Sequence, residues 1–248
     1  MRFKTIQASA FKATFEVMKD ILNDVNIYIS KNGFSIITLD TARVALVDIY
    51  MAAENFEEFE CETPVYAGVN VSNMYKLLKM ISNSDILTVS ITSPEYLDIS
   101  IENNTRNTHT NFKLKLLDID DERIEVPKIN MTIITTMPSS DFQRICRDMN
   151  NIANEITVVR HNDQFEVSCD GDFAQQNTVI KCSDEAKFDG RISGTYSLKY
   201  LNLFTKATGM CSIIQIMQEE ENRFLVLKYN IANLGELKFY LATKIEDE

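Results

Sequence analysis

Hydrophobic residues recur every three or four positions in residues 10–22 and again in residues 139–152. This spacing puts them on one side of a helix, so both segments are predicted to be amphipathic helices packed on a core. Ser9 is the predicted N-cap of the first helix, and Ser139 or Ser140 that of the second. The predicted buried positions are Phe11, Phe15, Met18 and Leu22 in the first helix and Phe142, Ile145, Met149 and Ile152 in the second.

Two further helices and a set of strands follow from the same pattern. Residues 71–81 and 197–207 show helical spacing, whereas residues 25–29 and 97–101 alternate between apolar and polar. Strict alternation is typical of antiparallel strands that bury only one face. Turn residues such as those at 31–33 separate the runs. The chain is therefore predicted to have an α+β fold, with helices packed on antiparallel sheets.

One helix-then-hairpin segment occurs twice without a gap, 131 residues apart, as measured from Phe11 to Phe142. A repeated unit of this size predicts two similar domains, each with two helices on antiparallel sheets. We place them at residues 1–116 and 132–248, joined by a connector at residues 117–131. The matching positions are Phe11, Met18, Ile21, Val25, Ile27, Phe34 and Ile36 in the first copy and Phe142, Met149, Ile152, Ile156, Val158, Phe165 and Val167 in the second.

The connector combines acidic residues with apolar ones. Five acidic residues and Pro127 interrupt any helical or strand pattern between residues 117 and 127. Acidic residues alone are typical of a solvated spacer, but Ile119, Ile124 and Val126 also fit a docking strap. From composition, both interpretations stay open.

The net charge of −11, from 36 acidic and 25 basic residues, argues against a general nucleic-acid binder. The basic residues are not evenly distributed along the chain. Each predicted helix carries two cations spaced three or seven residues apart and therefore on one face. An ordinary amphipathic helix also exposes charges, but recurrence on all four helices favours a basic binding face. These residues are Lys12, Lys19, Lys76, Lys79, Arg144, Arg147, Lys199 and Lys206.

Residues for catalysis are scarce. His109 and His161 are the only histidines, and the HExxH, GxSxG and CxxC spacings do not occur. Seven glycines form no phosphate-binding loop. We therefore expect a protein that is not an enzyme and needs no metal or cofactor. The five cysteines are an odd number, which fits packed thiols in a reducing compartment, and no apolar run has the length of a signal peptide or a membrane span. We expect a soluble, intracellular protein.

Four strings in this sequence resemble the proliferating cell nuclear antigen family, the sliding clamps of eukaryotic and archaeal DNA replication. They are GVNVSNMYKLLK at residues 68–79, MPSSDFQRICRD at 137–148, YLNLFTKAT at 200–208 and LKFYLATKIEDE at 237–248. The resemblance covers essentially the whole chain. It implies a head-to-tail homotrimeric ring with pseudo-sixfold symmetry, in which helices line a central hole and sheets form the outside. The eight helix cations match positions that face double-stranded DNA in the family, without base specificity.

The resemblance also implies two kinds of protein contact. Short peptides with paired aromatic residues, carried by polymerases, clamp loaders, nucleases and ligases, would bind an apolar pocket formed by Leu39, Val44, Leu46, Ile124, Val126, Pro127, Phe224, Tyr240, Ala242 and Thr243. The subunit interface would include Phe112, Met149, Ile152, Val179, Ile180 and Cys182.

The predicted function is thus that of a DNA sliding clamp, a processivity factor for DNA polymerase and a platform for replication and repair enzymes. Two alternatives remain, a subunit of a heterotrimeric checkpoint-type clamp and a monomeric viral processivity factor. The expected location is the nucleus, or a viral replication site if a virus encodes the protein.

Overall fold

The computed structural model describes residues 1–120, 124, 131–182, 188–221 and 223–244. The chain forms two compact units. Unit 1 comprises residues 1–41, 47–125 and 230–237, and unit 2 comprises residues 42–46, 126–229 and 238–248. Each unit thus contains a short piece of chain from the other half of the sequence.

The first half of the chain holds two α-helices and nine strands. The helices are α1 (Ala8–Met18) and α2 (Val71–Leu78). The strands are β1 (Arg2–Thr5), β2 (Asp24–Ser30), β3 (Gly33–Leu39), β4 (Ala45–Ala52), β5 (Glu58–Glu60), β6 (Val65–Asn70), β7 (Ile86–Ser93), β8 (Tyr96–Asn103) and β9 (Thr108–Lys115).

The described part of the second half has a similar composition of elements. Its helices are α3 (Ser139–Met149) and α4 (Leu198–Phe204), and a 3-10 helix (Thr205–Gly209) follows α4. Its strands are β10 (Ile133–Pro138), β11 (Glu155–Asn162), β12 (Gln164–Asp170), β13 (Gln175–Lys181), β14 (Phe188–Ser197), β15 (Ile213–Gln218), β16 (Phe224–Ile231) and β17 (Gly235–Ala242).

In unit 1 the helices cover two groups of strands. Strands β5, β1, β7, β8 and β9 lie side by side in that order, and so do β6, β2, β3 and β4. The core joins all three layers: Phe3 of β1, Phe11 of α1 and Phe34 of β3 have ring centroids 5.6–6.3 Å apart. Each of these rings is at most 1% exposed. Burial of such aromatic side chains is a main source of the stability of the unit.

Unit 2 is built in the same way. Strands β13, β12, β11 and β14 form one sheet, and β10, β15, β16 and β17 are neighbours in another. Its core includes the Phe204 and Phe239 rings, stacked with centroids 4.5 Å apart. Phe142 of α3 packs toward Phe165 of β12, at 6.5 Å.

The predicted α+β class and the repeat are confirmed by the elements. Helices α1 and α3 both have 11 residues and begin 131 positions apart, at Ala8 and Ser139. All repeat positions are buried except Ile21 and Ile152, which occupy equivalent places and are both half-buried. The sequence repeat is therefore a structural repeat.

The predicted helix ends were partly wrong. Gln7 and Pro138 occupy the N-cap positions of α1 and α3, and neither side chain makes a capping hydrogen bond. Ser9 lies inside α1. Ser139 is the first residue of α3, where its hydroxyl donates to the Cys211 carbonyl at 2.5 Å. All four helices also end earlier than predicted, at Met18, Leu78, Met149 and Phe204, and the fourth continues as a 3-10 helix.

Two further properties bear on the cysteine and membrane expectations. All five cysteines are free thiols, with Cys146 and Cys169 buried and the other three half-buried. Burial raises the pKa of the Cys146 thiol far above its usual value. Among the described residues, no helix combines the length and the apolar character needed to cross a lipid bilayer.

Candidate nucleic-acid interface and docking surfaces

Four of the eight predicted DNA-facing cations lie on the helices of unit 1. Lys12 and Lys19 belong to α1 and its C-cap, and Lys76 and Lys79 to α2 and its C-cap. Asn70 caps α2, because its side chain accepts a hydrogen bond from the Asn73 amide at 2.9 Å. Lys76 and Lys79 are exposed, whereas Lys12 and Lys19 are half-buried. The cations of α2 are therefore more accessible than those of α1.

The two α1 cations are already engaged within unit 1. The Lys12 ammonium group donates to the carbonyl of Ile81, just beyond α2, at 2.6 Å. Lys19 pairs with Asp20 at 3.0 Å, and its Nζ lies 5.4 Å from the centre of the Tyr75 ring. By contrast, Lys76 donates to the neutral amide oxygen of Asn73, at 3.2 Å.

The other four cations lie on the helices of unit 2, and all four are exposed. Arg144 approaches Asp141 at 3.5 Å and Arg147 approaches Asp148 at 3.8 Å. Such exposed pairs are weak, so the guanidinium groups stay available to a stronger anion. Lys199 lies on α4, whereas Lys206 lies on the 3-10 helix that follows it.

Hydrogen bonds hold the helices of unit 2 in a fixed arrangement. The Gln143 side chain donates to the Thr205 carbonyl at 2.8 Å, and the Asn202 side chain donates to the Cys146 carbonyl at 3.3 Å. These bonds tie α3 to α4 and to the 3-10 helix. The basic residues therefore project from a rigid support.

Unit 2 brings together six of the predicted pocket residues. Residues 42–46 belong to this unit, and the Ala242 amide donates to the Val44 carbonyl at 3.4 Å. The Thr243 amide donates to the Arg223 carbonyl at 3.0 Å, next to Phe224. Leu46 and Tyr240 are buried, so their side chains lie beneath the surface of the unit. The six residues are Val44, Leu46, Phe224, Tyr240, Ala242 and Thr243.

The remaining predicted pocket residues lie elsewhere. Leu39 at the end of β3 and Ile124 belong to unit 1, and both are half-buried. Val126 and Pro127 lie outside the described residues. Their contribution to the pocket stays a prediction.

The start of the connector is attached to unit 1. The Leu117 amide donates to the Gly68 carbonyl at 2.8 Å, and the Asn26 side chain donates to the Ile119 carbonyl at 3.2 Å. A Cβ atom on Gly68 would stand 2.2 Å from the Leu117 carbonyl oxygen. Only glycine therefore lets residues 117–119 approach strand β6 this closely.

Four of the six predicted subunit-interface residues lie on or next to two outermost strands. Phe112 is half-buried on β9, and Val179 and Ile180 lie on β13, with Cys182 just after it. Val179 is 53% exposed, so its side chain is accessible on this edge strand, and its role at an interface stays a prediction. Ile152 is half-buried beyond the end of α3. Met149, in contrast, is fully buried in unit 2, so its side chain supports the core.

Sequence reasoning missed the contacts that Tyr75 makes with Glu16 and Lys19. The Tyr75 hydroxyl donates to Glu16 at 2.9 Å, and this bond, followed by burial and the charges of Glu16 and Asp20, raises the pKa of Tyr75. Glu16 was visible in the sequence as a charge that dilutes the basic face. Its partner Tyr75 was not predictable, because the contact joins two helices and residues that are 59 positions apart.

One histidine cluster superficially resembles a catalytic site. Ser100 Oγ lies 2.7 Å from His109 Nε2, and a Glu102 oxygen lies 3.8 Å from the same nitrogen. In a serine hydrolase triad the acid contacts the other ring nitrogen, so this arrangement cannot orient the imidazole as a base toward the serine. In the described part of the chain, no group of three or more His, Cys, Asp or Glu side chains could hold a metal ion.

Comparison with known proteins gives consistent results for both halves of the chain. Residues 1–123 match the N-terminal domain model of proliferating cell nuclear antigen, and residues 125–244 match its C-terminal domain model. A protein of Paramecium bursaria Chlorella virus 1, described as a probable DNA polymerase sliding clamp, is 37% identical over 249 residues. The match covers 96% of this chain and 95% of the viral protein.

Proposed function

The chain belongs to the proliferating cell nuclear antigen family, and from this premise we propose that three copies close into a homotrimeric ring around duplex DNA. It is a DNA sliding clamp that acts as a processivity factor, with DNA and a DNA polymerase as partners. The observation that carries the proposal is that two clamp domains follow each other along one chain, each with basic residues on its helices. Three such chains supply the six domains of a ring.

The proposed hole is lined by the helix cations. Three chains with eight cations each carry 24 positive charges. One turn of duplex, about 34 Å long with one charge per ~1.7 Å, carries about 20 negative charges. The number of cations in the ring is therefore close to the number of phosphate charges in one turn of duplex. Flexible side chains that meet phosphates without base contacts can exchange partners, which allows the ring to slide.

The proposed platform for partners is the apolar surface of unit 2 around Val44 and Ala242. Aromatic side chains of a short peptide would insert against buried Leu46 and Tyr240. We extend the proposal to clamp loaders, nucleases and ligases with such peptides, at a nuclear or viral replication site. The clamp itself would act as a scaffold without enzymatic activity.

A threading experiment tests whether the protein encircles DNA, and it needs no loader. The protein is added to linear duplex either before or after both DNA ends are blocked by bulky proteins, and the DNA is then washed at high salt. A ring that threads over free ends is retained only when it is added before blocking. Equal retention in both orders, or none in either, would contradict the encircling clamp.

A further inference from the structure

Four side chains of unit 1 form a cluster at the solvent-facing surface of α1 and α2. Lys19 pairs with Asp20 at 3.0 Å and lies over the Tyr75 ring at 5.4 Å. The Tyr75 hydroxyl donates to Glu16 at 2.9 Å. Glu16 therefore fixes the Tyr75 ring. The face of the ring holds the Lys19 ammonium group, which Asp20 also attracts.

The cluster restricts Lys19 more than Lys79 is restricted at the end of α2. The Lys19 side chain is 28% exposed, although it occupies the C-cap of a surface helix. Lys79 occupies the corresponding C-cap of α2, and it is exposed and contacts no charged group in the described part of the chain. Two lysines in equivalent places thus differ in their freedom to reach a phosphate.

The cluster also cancels the charge of α1. Glu16 and Asp20 offset Lys12 and Lys19, and the Lys12 ammonium group is used by the Ile81 carbonyl. A phosphate near this helix therefore meets no unengaged ammonium group of α1 while Lys19 stays on Tyr75. It meets one when Lys19 leaves, because the ammonium group can then exchange Asp20 for the phosphate.

We propose that Tyr75 is a positioning residue that holds Lys19 back from DNA and thereby keeps the grip of the clamp loose. The inference rests on the proposed function, since it takes α1 and α2 to face the duplex. In this mechanism a DNA phosphate competes with Asp20 for the Lys19 ammonium group. The contact with the Tyr75 ring adds to the free energy needed to release that group. Each contact is then weaker than a free lysine would make it, and the ring slides with less resistance.

The test uses Tyr75→Leu, which removes the aromatic face and the hydroxyl but keeps a good helix former. The binding of a short fluorescent duplex is measured by anisotropy at several salt concentrations. Removal of an exposed cation–π interaction should raise the affinity by about two- to fivefold. The slope of log affinity against log salt should also steepen, by up to about 0.9 for each additional phosphate that a released lysine neutralises.

A double-mutant cycle separates this role from a merely structural one. In a Lys19→Ala background, Tyr75→Leu should leave the affinity unchanged, because there is no lysine to release. Tyr75→Phe keeps the ring and should give a smaller rise than Tyr75→Leu. Melting curves of all variants verify that the fold is intact.

Three outcomes are informative. An affinity that Tyr75→Leu leaves unchanged or lowers would overturn the proposal, and so would an equal rise in the Lys19→Ala background. Failure of the proposed function is distinguishable, since the wild-type protein would then fail the threading experiment while the cycle could still be measured on short duplex. A rise confined to proteins with Lys19 supports the holding role.

Discussion

At the scale of single residues, Gly68 controls how the connector meets strand β6. A Cβ atom at this position would stand 2.2 Å from the Leu117 carbonyl oxygen and 3.1 Å from the Ile119 side chain. Gly68→Ala should therefore lower the free energy of unfolding by about 1–3 kcal/mol, as overpacking typically does. The matched control is Gly209→Ala, because no atom lies within 4 Å of a Cβ there. Chemical denaturation measures both, and equal stability of the two variants would contradict the close approach.

Asp98 gives a prediction about pH. The Thr92 hydroxyl donates to it at 2.5 Å and the Lys113 ammonium group lies 3.4 Å away, and these contacts lower the pKa of Asp98 although partial burial opposes them. A lowered folded-state pKa stabilises the protein above the unfolded value of about 3.9, and this contribution is lost as the pH falls through the folded-state pKa.

Asp98→Asn should thus reduce the unfolding free energy at neutral pH, and its difference from the wild type should shrink below about pH 4. Asp172→Asn, on an exposed loop residue, is the control and should change little at either pH. Thermal melts across this range provide the measurement. A difference that stays constant down to the lowest pH would show that the carboxylate is not the cause.

At the scale of secondary-structure elements, the two cations of α2 should contribute more to DNA binding than their number alone implies. Lys76 and Lys79 pair with no carboxylate in the described part of the chain. Replacing both by Ala should weaken binding to short duplex and flatten its salt dependence, by up to about 0.9 in slope for each phosphate that is no longer neutralised. Lys31→Ala with Arg106→Ala removes the same charge from exposed loops of unit 1. Equal effects of both pairs would mean that only net charge matters.

A second prediction at this scale concerns peptide docking at the end of β17, beside Val44. Val44 is 37% exposed and its carbonyl accepts from Ala242, whereas Ile134 on β10 is 36% exposed. Val44→Asp should reduce the affinity for a peptide with paired aromatic residues by tenfold or more. A tenfold change corresponds to about 1.4 kcal/mol, and placing an unpaired charge in an apolar contact costs more than that. Ile134→Asp should leave it unchanged. Calorimetry on both variants decides whether the docking surface includes Val44.

The sequence predicted the elements well where periodicity is strong. The repeat identified α1, α3 and the strands after them, because the same positions are buried in both copies. It failed at the N-caps of α1 and α3. Ser139 was expected to cap α3, but its amide donates to Ser212 and its hydroxyl to Cys211. Such contacts join residues about 70 positions apart, which local patterns cannot reveal.

The candidate DNA-binding site was likewise predicted only in part from the sequence. The sequence named all eight helix cations, yet it treated them as equivalent. The mobility of Lys12 and Lys19 depends on Ile81 and Tyr75, whose positions are set by the packing of α1 on α2, and on Asp20, which follows Lys19 directly. Charge patterns locate a basic face, but only the fold tells which of its charges are available.

At the scale of the whole molecule, the proposed ring depends on edge strands and on net charge. Strands β9 and β13 are the outermost strands of their sheets, and each carries apolar residues such as Phe112 and Val179. Pairing of β9 from one copy with β13 from the next would extend the sheets and cover these residues. Three chains of −11 each also repel one another, so the ring should be favoured by added salt.

The molecular mass in solution tests the ring most directly. Light scattering on purified protein at low and moderate salt would measure it without a loader or DNA. Three chains of 28.4 kDa predict a mass of about 85 kDa, reached more completely as salt increases. A mass that stays near 28.4 kDa at every salt concentration would contradict a self-assembling homotrimeric ring.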